Sequence, residues 1–128
     1  MKDLLDAAID AAHAAGQLQR EHFGKDLNVN EMKQYDIKLE LDVRCQTLIT
    51  ERLLQRFPDH AILGEEGDTI GDGEIEWIVD PIDGTVNYFY GIPHFCVSIA
   101  ARRRSDQKLI VGVIYDPMQN ETWTVAEG

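Results

Sequence analysis

The chain has 128 residues, of which 44% are hydrophobic, so it is long enough to form one domain with a real core. Its formal net charge of -11 comes from 23 acidic residues against 12 lysines and arginines. This balance argues against a nucleic-acid partner bound through direct basic contacts. It does not exclude a small phosphorylated ligand, because metal ions can lie between an acidic site and an anion.

Three further features of the sequence concern where the protein is located and how its cysteines are used. No apolar run approaches the roughly 20 residues that span a bilayer, so we expect no membrane partner. The first residues carry acids where a signal peptide has net positive charge, which predicts a cytoplasmic location. The only two cysteines, Cys45 and Cys96, form neither a disulfide framework nor a zinc motif, and we expect both to be small buried hydrophobes.

The first half of the chain predicts two helices with an extended segment between them. Residues 3–22 place apolar side chains at helical spacing, and residues 26–41 alternate towards an extended pattern. A second helix is predicted over residues 43–57. Asp42 stands immediately before it, in the position of an N-cap.

The second half predicts mainly strands. A short buried strand at 61–64 precedes a Gly- and Asp-rich loop at 67–76, and residues 85–94 can hold one helical turn. The other predicted strands cover 77–79, 95–102, 108–115 and 121–125. Consecutive strands with short links favour an antiparallel meander over a parallel sheet. The predicted fold class is therefore α+β, with two helices packed on a mostly antiparallel sheet.

The most informative stretch follows Trp77-Ile78-Val79. Pro81 fixes its own φ and removes a backbone donor, so we expect the chain to turn there and to bring Asp80 and Asp83 to one side. Two carboxylates followed by Gly84 suit a divalent cation and a phosphate. The alternative is a plain hairpin with an Asp-Gly turn, which needs no metal.

Other acids fall at the ends of predicted elements. Glu65 and Glu66 follow the strand at 61–64, and Asp42 begins a helix. If the two strands are neighbours, Glu65 and Asp80 share one end of the sheet. Several carboxylates in one cleft repel each other unless cations neutralise them. Two-metal sites of this kind clamp both oxygens of a phosphoryl transfer.

These motifs together resemble the inositol monophosphatase family. The resemblance is carried by Gly64-Glu65-Glu66, Asp80-Pro81-Ile82-Asp83-Gly84-Thr85, Asn87, Gly91-Ile92-Pro93 and Val97-Ser98-Ile99-Ala100. It implies a Mg²⁺-dependent phosphomonoesterase that hydrolyses inositol monophosphate or a similar small sugar phosphate by attack of a metal-activated water. Relatives acting on histidinol phosphate, fructose 1,6-bisphosphate or 3'-phosphoadenosine nucleotides are alternatives within this implication.

The resemblance also implies a role for each matching residue. Glu65, Asp80 and the carbonyl of Ile82 would bind the first metal, and Asp80 and Asp83 the second. Substrate binding would fall to Asp83 and to the N–H groups of Gly84 and Thr85. Asp42, Thr85 and Glu65 would be the catalytic residues, with Asp42 and Thr85 as the pair that activates water. The resemblance would also place Lys33 near the site and Glu66 behind the metal ligands; the alternatives are a surface lysine and a solvated loop acid.

The chain departs from the family in one important respect. The family chain is about twice as long, and its second half carries a Trp-Asp-x-Ala motif whose aspartate completes the second metal site. The later aspartates here, Asp106 and Asp116, fall in predicted hairpin turns. We therefore expect residues 1–128 to be the N-terminal αβ portion of a family member, with the C-terminal half absent and a homodimer possible. The rival hypothesis is a non-catalytic metal-binding or interaction module.

Overall fold

Two long helices and a six-stranded sheet account for most of the chain. The computed structural model describes residues 2–25, 29–33, 36–64 and 69–127. The helices are α1 (Lys2–His22), α2 (Glu40–Arg56) and α3 (Thr85–Phe89). The strands are β1 (Val29–Lys33), β2 (Asp36–Leu39), β3 (Ala61–Leu63), β4 (Thr69–Ile70), β5 (Ile75–Asp83), β6 (Cys96–Arg103), β7 (Leu109–Asp116) and β8 (Glu121–Ala126).

The main sheet has the strand order β4-β3-β5-β6-β7-β8, and β1 and β2 form a separate antiparallel pair. Strands β5 to β8 form the predicted antiparallel meander. The sequence predicted five strands of this sheet, and β4 adds a sixth within the predicted loop at 67–76. Strands β3 and β5 are parallel, since β4 occupies the outer edge of β3 and the chain returns on its other side. The sheet is thus mixed but mostly antiparallel.

One face of the sheet holds the core. Helices α1 and α2 cover this inner face, and α1 contributes a stripe of small buried residues, mainly alanines. Small side chains let the helix axis approach the sheet closely. Gly16 of α1 shows how tight the contact is, because an added Cβ would clash with the ring of Tyr115 on β7. In the described part of the chain, no helix is long and apolar enough to cross a membrane.

Helix α2 begins earlier than the sequence predicted. Leu39 is the N-cap and offers no side-chain acceptor, so Asp42 is not the N-cap but the third helical residue. Its carboxylate Oδ2 accepts a hydrogen bond from the backbone N–H of Leu39 at 2.9 Å. This is the acidic half of a capping box, and it satisfies one backbone donor at the start of the helix.

The predicted turn at Pro81 was also wrong. Strand β5 continues through Pro81 to Asp83, and the pairing with β6 becomes irregular between Asp80 and Asp83. Asp80 pairs with Ser98 and Asp83 with Cys96, so two residues of β5 stand opposite one residue of β6. This is a β-bulge, which accommodates a proline inside a strand and redirects neighbouring side chains.

Candidate metal centre

The residues predicted to carry chemistry meet at one end of the sheet. Strand β5 ends there with Asp80, Ile82 and Asp83, and the short helix α3 follows with Thr85. Helix α2 begins at the same end, with Asp42 buried at 4% exposure. We call this end of the sheet, defined by these five residues, the acidic pole.

Part of the predicted site cannot be placed. Glu65 and Glu66 lie outside the described residues, as does the side chain of Lys33. The strand that leads to Glu65 is described, however. Leu63 of β3 pairs in parallel with Ile78 of β5, so both strands run towards the acidic pole.

Thr85 joins the bulge to the start of α2. Its hydroxyl lies 3.0 Å from the carbonyl oxygen of Ile82 and 3.4 Å from Oδ1 of Asp42. A threonine hydroxyl has one proton, so it donates to one of these acceptors at a time, and the shorter contact favours Ile82. If a cation bound the Ile82 carbonyl oxygen, the Thr85 hydroxyl would donate its hydrogen bond to Asp42 instead.

Gly84 produces the sharp change of direction that the sequence had assigned to Pro81. Its φ of 104° lies in the left-handed region, which a residue without a Cβ adopts readily. An added Cβ would also come within 3.1 Å of the His94 carbonyl oxygen and of Phe95. Asn87 holds that neighbouring segment in place by donating to the same carbonyl at 2.8 Å. The Asp83-Gly84 step therefore begins helix α3 and does not form a hairpin turn.

The thiol of Cys96 lies in the negative electrostatic field of the acidic pole. Burial and then the carboxylates of Asp83, Asp80 and Asp116 raise the pKa of this thiol to about 11. The sequence predicted an ordinary buried cysteine and gave no sign of this surrounding. Asp116 is the last residue of β7, and its Oδ1 accepts from the backbone N–H groups of Met118 and Gln119. It therefore shapes the turn, as the sequence predicted, while adding negative charge near the pole.

A buried cluster behind the bulge was missed entirely. Gln19 of α1 is fully buried and donates from Nε2 to the carbonyl oxygen of Pro81 at 2.6 Å. The hydroxyl of Tyr88 on α3 donates to the backbone carbonyl oxygen of Gln19 at 2.8 Å. Burial, with the nearby Cys45 and Asp42, raises the Tyr88 pKa, so the phenol stays neutral. Only the position of Gln19 within the buried stripe of α1 could have signalled this role.

The donors at the bulge suit a hard divalent cation. Asp80 and Asp83 offer carboxylate oxygens, Ile82 offers a carbonyl oxygen, and Oδ1 of Asp80 is buried. Mg²⁺ prefers such oxygen ligands and typically binds one or two carboxylates together with waters and phosphate oxygens. Among the described residues, which omit 65–68, no group of three or more His, Cys, Asp or Glu side chains is arranged to hold a metal unaided. The bulge thus fits part of a magnesium site.

Comparison with known proteins decides the family. The model of the inositol monophosphatase family matches residues 1–128. The chain belongs to the inositol monophosphatase family. It is 38% identical to "Inositol monophosphatase 2" of Solanum lycopersicum, with 100% of this chain and 50% of that protein aligned. It is 36% identical to "Nus factor SuhB" of Xylella fastidiosa, with 99% of this chain and 46% of that protein aligned.

Solved structures of the family confirm the predicted fold class. The extragenic suppressor protein suhB of Bartonella henselae superposes with a TM-score of 0.91 at 33% identity, covering 98% of this chain and 50% of that one. The inositol monophosphatase of Thermotoga maritima gives a TM-score of 0.85 at 34% identity, covering 98% and 49%. The chain spans about half the length of the relatives that it matches.

Proposed function

We propose that the protein is a Mg²⁺-dependent phosphomonoesterase that hydrolyses inositol monophosphate or a similar small sugar phosphate. The observation that carries this proposal is the bulge of β5, where Asp80, Ile82 and Asp83 present oxygen donors beside the Thr85–Asp42 pair. Membership of the inositol monophosphatase family supports a phosphatase, and the donor chemistry supports magnesium.

The ligands proposed for the first metal are Glu65, Asp80 and the carbonyl of Ile82. Glu65 stands two residues after Leu63, as Asp80 stands two residues after Ile78, and Leu63 and Ile78 are partners in parallel strands. Asp80 and Asp83 are proposed for the second metal. Mg²⁺, when bound, would supply positive charge for the phosphoryl oxygens and favour ionisation of the attacking water.

The Thr85–Asp42 pair is proposed to orient that water. The Thr85 hydroxyl accepts a hydrogen bond from water while it donates its own proton to Oδ1 of Asp42. Asp42 is held for this task by its bond to the backbone N–H of Leu39. Glu65 is proposed as a further catalytic residue through its role as a ligand of the first metal.

Substrate phosphate is proposed to bind at the start of α3. The first N–H groups of a helix have no partner within the helix, and Gly84 and Thr85 stand at that position. The side chain of Asp83 is exposed and next to these donors, which suits a contact with a substrate hydroxyl. Water thus displaces the alcohol from phosphorus, yielding the alcohol and inorganic phosphate.

The chain is proposed to be the N-terminal αβ portion of the whole enzyme. Its relatives are about twice as long, so further ligands and substrate contacts are expected from their other half. On this proposal residues 1–128 alone are weakly active or inactive. A cytoplasmic location, a homodimer and the absence of a nucleic-acid partner stay predictions, and the name Nus factor of several relatives makes the last worth testing.

Phosphate release from inositol 1-phosphate by the complete protein tests the proposal. Asp80→Asn should lower kcat/KM on the order of 100-fold, because a neutral amide is a poor magnesium ligand. Asp106→Asn is the matched control, since Asp106 is exposed in the turn after β6 and should leave the rate unchanged.

Two outcomes would contradict the proposal. The first is the absence of Mg²⁺-stimulated turnover in the wild-type protein across a panel of phosphomonoesters. The second is a rate that Asp80→Asn leaves unchanged. Either outcome would favour the rival hypothesis of a non-catalytic metal-binding or interaction module.

A further inference from the structure

Gln19 is an anomaly in the core. It lies on the inner side of α1, at 0% exposure, in a stripe whose other buried members are alanines and a glycine. A polar amide in such a place is costly unless its hydrogen bonds are made. Nε2 has two acceptors, the Pro81 carbonyl oxygen at 2.6 Å and Sγ of Cys45 at 3.7 Å. Oε1 is buried, and no partner for it is found among the described residues.

The bulge of β5 explains why a donor is needed here. Between Asp80 and Asp83 the pairing with β6 is interrupted, and Pro81 is itself buried. A buried carbonyl within an interrupted ladder needs a donor from elsewhere. The amide of Gln19 reaches across 62 positions in the sequence to supply it. Helix α1 thereby contacts the backbone directly between Asp80 and Asp83, two of the three carboxylates of the acidic pole.

The amide is tied to α3 as well as to the bulge. Tyr88 donates its hydroxyl to the backbone carbonyl of Gln19, and it stands three residues after Thr85. The backbone N–H of Tyr88 in turn donates to the carbonyl of Gly84 at 3.0 Å. One residue of α1 is thus linked to the segments on both sides of Asp83.

We propose that Gln19 is a positioning residue for the divalent-cation site, which sets the backbone of the β5 bulge so that Asp80, Ile82 and Asp83 converge. This inference rests on the proposed function, because it concerns the same site. Gln19 touches neither metal nor substrate and acts through the Pro81 carbonyl. A methionine would fill the same volume without burying an unsatisfied oxygen, so core packing alone does not account for glutamine here.

The Gln19→Met variant tests this role, with Mn²⁺ as the probe. Free Mn²⁺ is measured by electron paramagnetic resonance during titration of the complete protein, without substrate. We expect Mn²⁺ affinity to fall about tenfold, as it does when other groups that orient metal ligands without touching the metal are removed. The melting temperature in EDTA should change by less than about 3 °C, because the lost bond is offset by removal of the buried Oε1. Gln17→Met is the control, since Gln17 is exposed two positions earlier on α1.

The outcomes separate this inference from the proposed function. If the complete wild-type protein binds no Mn²⁺, the proposed function itself is overturned. If the complete wild-type protein binds Mn²⁺ and its Gln19→Met variant binds it equally well, only the role of Gln19 is overturned. The role of Gln19 would also be overturned if Mn²⁺ binding fell only in proportion to the fraction of protein that is folded. Should Gln19→Met fail to fold, Gln19→Asn, whose amide is one methylene too short to reach Pro81, carries the same test.

Discussion

The two faces of the six-stranded sheet differ in what they do. The inner face, under α1 and α2, buries its side chains almost completely, from Trp77 and Val79 on β5 to Val113 on β7. On the outer face, Trp123 is 52% exposed and Val125 is 66% exposed. The inner face therefore supplies the stability of the fold, since burial of apolar surface is the main favourable term in folding.

The outer face carries Asp80, a proposed metal ligand. Because successive residues of a strand point to opposite faces, Asp80 stands on the side opposite Val79. It is paired with Ser98, and Ser98 lines a shallow apolar groove together with Ile114 and Trp123. At the other end of this face, the buried carboxylate of Glu76 accepts two hydrogen bonds from Arg102. Asp80 and Glu76 of β5 thus stand on the face that α1 and α2 leave uncovered, whereas Asp42 belongs to α2 itself.

The largest expected difference in stability between the two faces is the difference between Trp77 and Trp123. Trp77→Ala empties a fully buried site on the inner face and should lower the free energy of unfolding by about 3–5 kcal/mol. Trp123→Ala, on the outer face, should change it by no more than about 0.5 kcal/mol. Urea denaturation of both variants measures the difference. Equal losses of unfolding free energy for the two variants would show that the inner face does not stabilise the fold more than the outer face.

A smaller effect comes from the edge of the inner face and depends on pH. The indole N–H of Trp77 donates to Nδ1 of His60 at 3.0 Å, and the His60 ring stacks on Phe57. Burial lowers the His60 pKa, while Asp59 acts in the opposite direction. A neutral imidazole accepts the indole proton and a protonated one cannot. The stability contributed by neutral His60 is therefore complete above its ordinary pKa and is lost as the pH falls through the lowered value.

Thermal denaturation between pH 7.5 and pH 5 checks this expectation. The wild-type melting temperature should fall more steeply with pH than that of His60→Gln, in which no imidazole is present to be protonated. Parallel curves for the two proteins would show that the His60 contact does not respond to pH.

Much of the fold could be predicted because its signals are local. Alternating apolar residues predicted β6, β7 and β8 to within a residue or two, and helical spacing predicted α1. Asp80, Asp83 and Thr85 were found together because they are neighbours in the sequence. Their surroundings could not be predicted in the same way.

The errors have a common physical origin in long-range contacts. Pro81 predicted a turn, but pairing with β6 and the Gln19 amide hold it inside a strand. Asp42 looked like an N-cap because Leu39, the actual N-cap, has no polar side chain that marks the start of a helix. Gln19 carried no signal beyond its place in the buried stripe of α1, because its partner lies 62 residues away. The contact between α1 and the bulge therefore became visible only in three dimensions.

The proposed cation site at the bulge of β5 can be observed by anomalous diffraction from crystals of the complete protein soaked in Mn²⁺. We expect an anomalous peak within about 2.5 Å of carboxylate oxygens of Asp80 and Asp83 and of the Ile82 carbonyl oxygen. A crystal soaked at saturating Mn²⁺ with no peak at the bulge, or with its strongest peak beside Asp116 or Asp106, would rule out this cation site.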